Sequence, residues 1–446
     1  MGIFKTYDIR GVYPSELNEK IAFEIGRTLV SFFRLRRVCV GYDTRLSSEK
    51  LFKALTEGII SQGADAVNIG LCSTPLFLFA VPFYRYEFGI MITASHNPKE
   101  YNGFKIADNR TFNDVKTIGY DNGLKKIEEI MAKAGVPAYA GRKGAITAKD
   151  AKQDYIDHLL KFAPKEGLKK MKIAVDASNG MGSIAVKEVF EQLGIKLVPL
   201  SFEMDGNFPD HGPNPSLPGS LKKLEKEVKK QKADFGVAFD SDADRAIFVD
   251  DTGKQIPAEF VLILLAKALA KSKNDIIIYD LTSSWIVKEE ILMFAMPVMS
   301  KVGQVFIKEK MKDVGAILAG EVSGHYTFKD NYYGDSGIVA VLLMIKYLSS
   351  EKKKLSVLVK PFRKYSKSEG LSYQVKDKEA KMKELSSKYK DATKMLFLDG
   401  FTAEYKDWWF NARPSNTEPI LRLVVEAKTK KALTAKVKEL EKIIKK

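Results

Sequence analysis

Cysteine, histidine and long apolar runs are all scarce in this chain. Two cysteines in 446 residues give no disulfide framework. Cys39 and Cys72 both stand in apolar surroundings, so structural thiols in a reducing compartment are expected, and with them a cytoplasmic location. The longest apolar stretches, Phe260–Ala266 and Ile338–Ile345, are cut by Lys267 and Lys346, far short of the roughly 20 residues that a membrane span needs. The opening "MGIFKTYDIRG" lacks the apolar core of a signal peptide. No membrane partner is therefore expected. The formal net charge is +16, yet there is no long basic arm and no aromatic RNA-binding signature. The lysines fall in short clusters such as Lys169-Lys170, Lys229-Lys230 and Lys352–Lys354, as on solvated helix faces. That excludes nucleic acid as the expected partner and leaves a charge excess suited to small anions.

What is present is repetition. A length of 446 residues implies several domains at about 150 residues each. "RRVCVGYDTR" (36–45), "MKIAVDASNG" (171–180) and "DIIIYDLTSS" (275–284) each run from a β-branched strand into Asp and small polar residues. Each is joined to a helical pattern, at Ser47–Ile60, Ser183–Leu193 and Pro257–Lys271. A second strand of the same style follows in each unit: "GIMITASHNP" (89–98), "FGVAFDSDADR" (235–245) and "AILAGEVSGH" (316–325). Strands alternating with helices imply mixed, mostly parallel α/β sheets. From about Ser356 the pattern changes to short alternating strands, "LSYQVK", "TAEYKDWWFNAR" and "ILRLVVEA", and a closing helix with Leu433, Val437, Leu440 and Ile444 on one face. The expectation is three similar α/β domains and a C-terminal α+β domain with a small antiparallel sheet, around a central cleft. Boundaries are set at 1–148, 149–252, 253–356 and 357–446; the helical "KDAKQDYIDHLLKF" (149–162) opens the second unit.

Ligands of open parallel sheets bind beyond the carboxyl ends of the strands, so one polar loop per unit could line one shared site. "DSDADR" crowds Asp240, Asp242 and Asp244 ahead of Arg245. Three carboxylates so close repel one another unless a cation sits among them, and an all-oxygen set selects Mg²⁺ before zinc. "NARPSNTEPILR" gathers Arg413, Ser415, Asn416 and Thr417 into a turn of phosphate-binding character. An ordinary Pro/Ser/Asn turn explains that stretch equally well. "GEVSGH" supplies Glu321, Ser323 and His325, donors and acceptors for a polyhydroxylated ligand. Of four histidines, His96 and His325 lie in these loops, while His158 and His211 read as structural. Ser95 follows an apolar strand, but no G-x-S-x-G elbow accompanies it. An acidic metal cluster with a phosphate turn points to phosphoryl transfer, with Ser95 carrying the phosphate.

With these residues in place, the chain resembles the α-D-phosphohexomutase family, in its phosphomannomutase/phosphoglucomutase branch. The resemblance runs nearly end to end through "YDIRG" (7–11), "YDTRLSS" (42–48), "TASHNP" (93–98), "NGFK" (102–105), "DSDADR" (240–245), "GEVSGH" (320–325) and "RPSNTEP" (413–419). It implies that Ser95 is a phosphoserine and that Mg²⁺ is held by it with Asp240, Asp242 and Asp244. Arg10 and Arg245 would steady the phosphoryl group, and Lys105 with His96 would stand at the acid/base positions. Tyr7, Glu321, Ser323, His325, Arg413, Ser415, Asn416 and Thr417 would bind a hexose phosphate. The implied reaction interconverts hexose 1-phosphate and 6-phosphate of mannose or glucose through a reoriented 1,6-bisphosphate. Glucose 1,6-bisphosphate would serve as activator, and the expected state is monomer or homodimer.

Several positions depart from the family pattern. Ser241 and Ala243 stand where glycines are usual, so neither is expected to need left-handed backbone. Gln304 replaces a frequent His, and Thr282 a basic residue, which leaves the second acid/base partner and the sugar preference open. Asn416 favours the mannose/glucose branch over phosphoglucosamine mutases; Val322 decides nothing. The rival readings are a phosphoglucosamine mutase, a haloacid-dehalogenase-like phosphatase with Asp240 as nucleophile, and a non-catalytic sugar-phosphate binder.

Overall fold

The computed structural model describes residues 2–112, 115–133, 135–415 and 419–445. Asn416 and Thr417 of the expected phosphate turn lie outside them. Four sheets are laid out along the chain. In the first, the strands run Ile9–Val12, Tyr101–Asp108, Phe88–Ile92, Arg37–Tyr42, Asp65–Leu71 and Ile146–Ala148. Phe88–Ile92 through Ile146–Ala148 are parallel, and Tyr101–Asp108 alone runs against its two neighbours, Phe88–Ile92 and Ile9–Val12. The second has Ala246–Asp250, Phe235–Phe239, Lys172–Asp176 and Lys196–Leu200 in order, parallel except for the first pair. In the third, Met296–Ser300, Ile276–Asp280 and Leu318–Gly320 are parallel, and Tyr326–Phe328 and Gly334–Asp335 return antiparallel. The fourth is antiparallel throughout, with Ile420–Ala427 at its centre, and the helix Lys430–Ile444 lies on it. Leu433, Leu440 and Ile444 are buried there, as the spacing predicts.

The three α/β units share a device that the strand patterns did not reveal. In each, one parallel strand ends in a polar loop and the chain returns at once as an antiparallel neighbour. Phe88–Ile92 returns as Tyr101–Asp108, Phe235–Phe239 as Ala246–Asp250, and Leu318–Gly320 as Tyr326–Phe328. All five residues of Phe88–Ile92 and of Phe235–Phe239 are buried, which accounts for their unbroken apolar composition: a strand covered on both faces has no side to leave polar. The hairpin closes the loop onto itself, so its polar side chains project from a rigid base.

The helix Thr74–Phe83 joins the units. Ser73 caps it by accepting from Leu76 N, Pro75 sits in its first turn, and apolar residues cover nearly all of its sides. It packs on the helix Lys152–Leu160 of the second unit and on Gly334–Asp335 of the third. Phe79 meets the rings of Tyr155 and His158 at 5.5 and 4.9 Å. His158 in turn bonds Asn331 at 3.0 Å and stacks on Tyr332, a structural use. Cys39 and Cys72 are both buried and free. Among the described residues no helix is long and apolar enough to cross a membrane.

In the first unit the helices Glu19–Phe33 and Ser48–Ser61 cross at Gly26 and Gly58. A Cβ on Gly58 would stand 2.1 Å from Phe23 O, and one on Gly26 2.4 Å from Leu55 O. Backbone blocks both places, so no side chain can yield. Gly58→Ala is expected to destabilise the protein by about 1–3 kcal/mol, read as a lowered urea midpoint of the first transition. An unshifted midpoint would contradict so close a crossing.

Candidate active site

Ser95 lies just past the strand Phe88–Ile92 and is 2% exposed. Its Oγ donates to Asp240 Oδ2 at 2.9 Å, and His96 Nδ1 stands 3.3 Å from the same oxygen. The first and second polar loops therefore meet at the serine. Asp240, Asp242 and Asp244 each offer one carboxylate oxygen within 4.8 Å of the others, and all three are buried. Their neighbours come from three units. Lys105, on the return strand Tyr101–Asp108, donates to Asp242 Oδ2 at 2.6 Å and Asp244 Oδ2 at 2.5 Å. Thr74 Oγ1, at the start of the joining helix, donates to Asp242 Oδ2 at 2.6 Å. His325 Nε2 lies 3.3 Å from Asp244 Oδ1, and Arg245 Nε 3.7 Å from Asp240 Oδ2.

Burial, and then the charges of Asp244 and Asp242, raise Asp240 well above the usual carboxylate range. Burial also acts to raise Asp244, but Lys105 and His325 outweigh it and hold Asp244 well below that range. Lys105 is raised: burial opposes its charge, and Asp242 and Asp244 prevail. His96 is pushed down to about 2 by burial and by Arg245 and Arg10, so its ring is neutral. His325 moves up to about 9. Burial and Arg245 lower it, but Asp244 and Glu321 win. As imidazolium it reaches Asp244 and, at 3.3 Å from Nδ1, Glu321 Oε2; a neutral ring would instead accept at Nε2 from Arg245 Nε, 3.1 Å away.

The donor set suits a hard divalent cation. All three ligands are carboxylates, and Asp242 Oδ1 is buried without a hydrogen-bond partner, an acceptor left free inside the cluster. Ala243, between two of these aspartates, has φ 63. This corrects the expectation that the position needs no left-handed backbone. The loop must turn sharply to bring alternate carboxylates to one side, and Ala243 O is tied by Gly337 N at 3.2 Å, so alanine accepts a conformation that glycine adopts more freely. Ser241 has no such φ.

The other expected residues lie around an adjoining cavity of about 790 Å³, lined among others by Asp280, Thr282, Glu321, Val322, Ser323 and Arg413. Glu321 Oε1 accepts from Gly303 N at 2.9 Å, and Ser323 Oγ meets His325 Nδ1 at 2.8 Å. Tyr7 reaches across from the first unit to Val302 O at 3.3 Å and shares a smaller cavity of about 150 Å³ with Arg413, Ser415 and Arg422. Arg10 Nη1 donates to Asn97 Oδ1 at 2.7 Å and its other nitrogen pairs with Asp8, beside the serine loop.

Three residues with no assigned role prove central. Arg45, in "YDTRLSS", is buried beneath the serine loop. Thr74 binds Asp242 through both Oγ1 and backbone N, the latter donating to Asp242 O at 3.0 Å. Arg422 stands directly opposite Arg413 in the fourth sheet. Like charges so placed are unfavourable without an anion between them; a lone arginine in the otherwise apolar "ILRLVV" was the signal.

A cleft shared by four units, with cations set against buried carboxylates and a buried serine, marks a multidomain α/β enzyme that handles anions. The sequence patterns of four phosphoglucomutase/phosphomannomutase domains match in chain order: alpha/beta/alpha domain I over residues 1–135, domain II over 153–253, domain III over 257–365 and the C-terminal domain over 372–443. The chain is 37% identical over 434 residues to the phosphohexose mutases of Xanthomonas campestris pv. campestris, covering 96% of each. It is 36% identical over 446 residues to a phosphomannomutase of Methanocaldococcus jannaschii, covering 99% of this chain and 97% of the relative. A crystal structure of a phosphoglucomutase/phosphomannomutase family protein from Burkholderia thailandensis superposes with a TM-score of 0.89 at 30% identity, over 99% of this chain and 96% of that one. The chain belongs to the phosphoglucomutase/phosphomannomutase family.

His325 generates a pH prediction. Its folded value of about 9 lies above its ordinary 6.5. The stabilisation from its charge is therefore complete below about 6.5 and is lost as pH rises through about 9. In chelator-treated protein the thermal midpoint should fall between pH 7 and 10, less so in His325→Gln. Equal slopes in the two proteins would place the titration elsewhere.

Proposed function

We propose that this enzyme, an isomerase of the phosphohexomutase family, interconverts the 1- and 6-phosphates of mannose or glucose through a phosphate carried on Ser95. The observation that carries the reading is the 2.9 Å bond from Ser95 Oγ to a buried carboxylate of a three-aspartate cluster. Cations pair with the carboxylate cluster that this serine joins, Lys105 and His325 at Asp244 and Arg245 at Asp240, while Arg10 bonds Asn97 of the serine loop. That environment favours a group gaining negative charge, as a serine does on taking up a phosphoryl group.

In this reading Asp240, Asp242 and Asp244 hold Mg²⁺ together with the Ser95 phosphate. When bound, the ion neutralises phosphoryl charge that the carboxylates would otherwise repel. Ser95 gives its phosphoryl group to the free hydroxyl of the sugar phosphate. The hydroxyl proton leaves to a neighbouring base, a role this reading gives to His96. Its neutral ring has an open acceptor, and a dianionic phosphate beside it would raise its proton affinity. Lys105 stays an ammonium and works by charge. The bisphosphate then turns, and Ser95 takes the other phosphoryl group. Arg413 with Arg422 grips the phosphate that is not reacting, and Glu321 and Ser323 hold sugar hydroxyls. Asn416 and Thr417 keep their expected phosphate role in this proposal. Glucose 1,6-bisphosphate restores the serine phosphate when it is lost, and exclusion of water from the cleft protects it.

Ser95→Ala is expected to lower mutase turnover by at least about a thousandfold, the range reported for loss of a reacting group, while sugar-phosphate binding persists by calorimetry. Intact-mass analysis should find one phosphate, mapped to Ser95, in part of the unaltered protein. Turnover of glucose 1-phosphate or mannose 1-phosphate should require Mg²⁺. Activity confined to glucosamine 1-phosphate would move the sugar assignment, and phosphate release without an isomerised sugar would favour a phosphatase.

A further inference from the structure

Ser95 sits in left-handed backbone, with φ 49. A non-glycine residue held there is strained and persists only where its surroundings over-determine it. Two donors do so, both on its carbonyl. Ser241 Oγ, from the loop between the metal-cluster aspartates, donates to Ser95 O at 2.6 Å, and Arg45 Nη2 donates to the same oxygen.

Arg45 is 2% exposed and places each of its five side-chain N–H groups. Nε donates to Asp43 Oδ2 at 3.2 Å, Nη1 to Pro98 O at 2.8 Å and Tyr101 O at 2.9 Å, and Nη2 to Ser95 O and to Asn97 O at 2.7 Å. One planar group thus carries the carbonyls of four residues of one loop. Phe208, from the second unit, covers the guanidinium at 5.2 Å. Ser241 is equally fixed: its O accepts from Met181 N at 2.7 Å and its N donates to Pro213 O at 3.2 Å.

A residue whose carbonyl is pinned has little freedom in where its side chain starts. With O held from both loops, Ser95 Oγ is delivered to Asp240 rather than swung away from it. We propose that Arg45 and Ser241 form a clamp on the Ser95 carbonyl that positions its hydroxyl for phosphoryl transfer across the joint between the first two units. Both are positioning residues that act through Ser95, and the inference rests on Ser95 being the phosphate carrier.

Ser241→Ala removes one hydroxyl and leaves Ser95 O its bond from Arg45, so no buried acceptor is orphaned. Small misplacements of a reacting group lower rate steeply; kcat is expected to fall about tenfold, with KM changed less than about twofold and the thermal midpoint nearly unchanged. Arg45→Lys offers three donors on a flexible stem where five acceptor contacts stand, and kcat is expected to fall about a hundredfold. In both variants single-turnover transfer from Ser95 phosphate to sugar should slow by the same factor as kcat. An unaltered kcat in Ser241→Ala overturns the clamp. So does a loss in both variants that merely follows the thermal midpoint, or one seen in KM alone. Failure of the carrier assignment is read separately, as absence of phosphate on Ser95 in the unaltered protein.

Discussion

Three buried carboxylates within 4.8 Å of one another are the constraint around which the molecule is organised. At an effective dielectric near 20, two unit charges at that distance repel by about 3–4 kcal/mol, and burial adds a desolvation penalty for each. No single unit can offset this. The carboxylates belong to the second unit, Lys105, Ser95 and Thr74 to the first, and His325 to the third. The cluster is electrostatically tolerable only when the units are docked. The same requirement explains the joining helix, whose N-terminal Thr74 ends on Asp242 and whose apolar body seals the contact.

The arrangement also shows how the three carboxylates are balanced by the chain's own cation. Lys105 bridges Asp242 and Asp244 on their Oδ2 atoms, while Asp242 Oδ1 stays free of hydrogen bonds. One edge of the cluster is thus neutralised by an ammonium on a strand, and the other edge keeps an acceptor that could serve a hard ion.

Much of this was legible in the residues, and what was hidden has physical reasons. Alternate carboxylates in "DSDADR" after a wholly apolar strand signal a buried anionic cluster, because local repulsion shows in the sequence itself. The meeting of Ser95 with Asp240, 145 positions apart, was accessible only through repetition: loops at equivalent strand ends face the same way. Arg45 was hidden because its partners other than Asp43 are chiefly backbone carbonyls of the serine loop, which leave no mark on residue identity. Arg422 was hidden because cross-strand register cannot be read from one strand alone. The strain at Ala243 ran against composition, since alanine shows no preference for left-handed backbone and yields there to the turn that the aspartates need.

Of the departures from the family pattern, Thr282 lies on the wall of the cavity of about 790 Å³ and Gln304 does not. Thr282 donates its hydroxyl to Asp280 Oδ1, so the position contributes no charge of its own. Gln304 begins the helix Gln304–Val314 with a buried Nε2 that has no partner. A buried amide donor without an acceptor is unfavourable by about 1–3 kcal/mol. Positive charge on the cavity wall comes from Arg363, Lys367, Arg413 and Arg422; Lys367 is paired with Glu259 at 2.5 Å and Arg413 with Asp399 at 3.3 Å. The same wall carries the acceptors Glu321 and Asp280. In the proposed reaction, these acceptors would accept hydrogen bonds from the sugar hydroxyls and the arginine pair would hold a phosphate. A bisphosphate that turns end over end would then offer either phosphate to the arginines and its hydroxyls to the same acceptors.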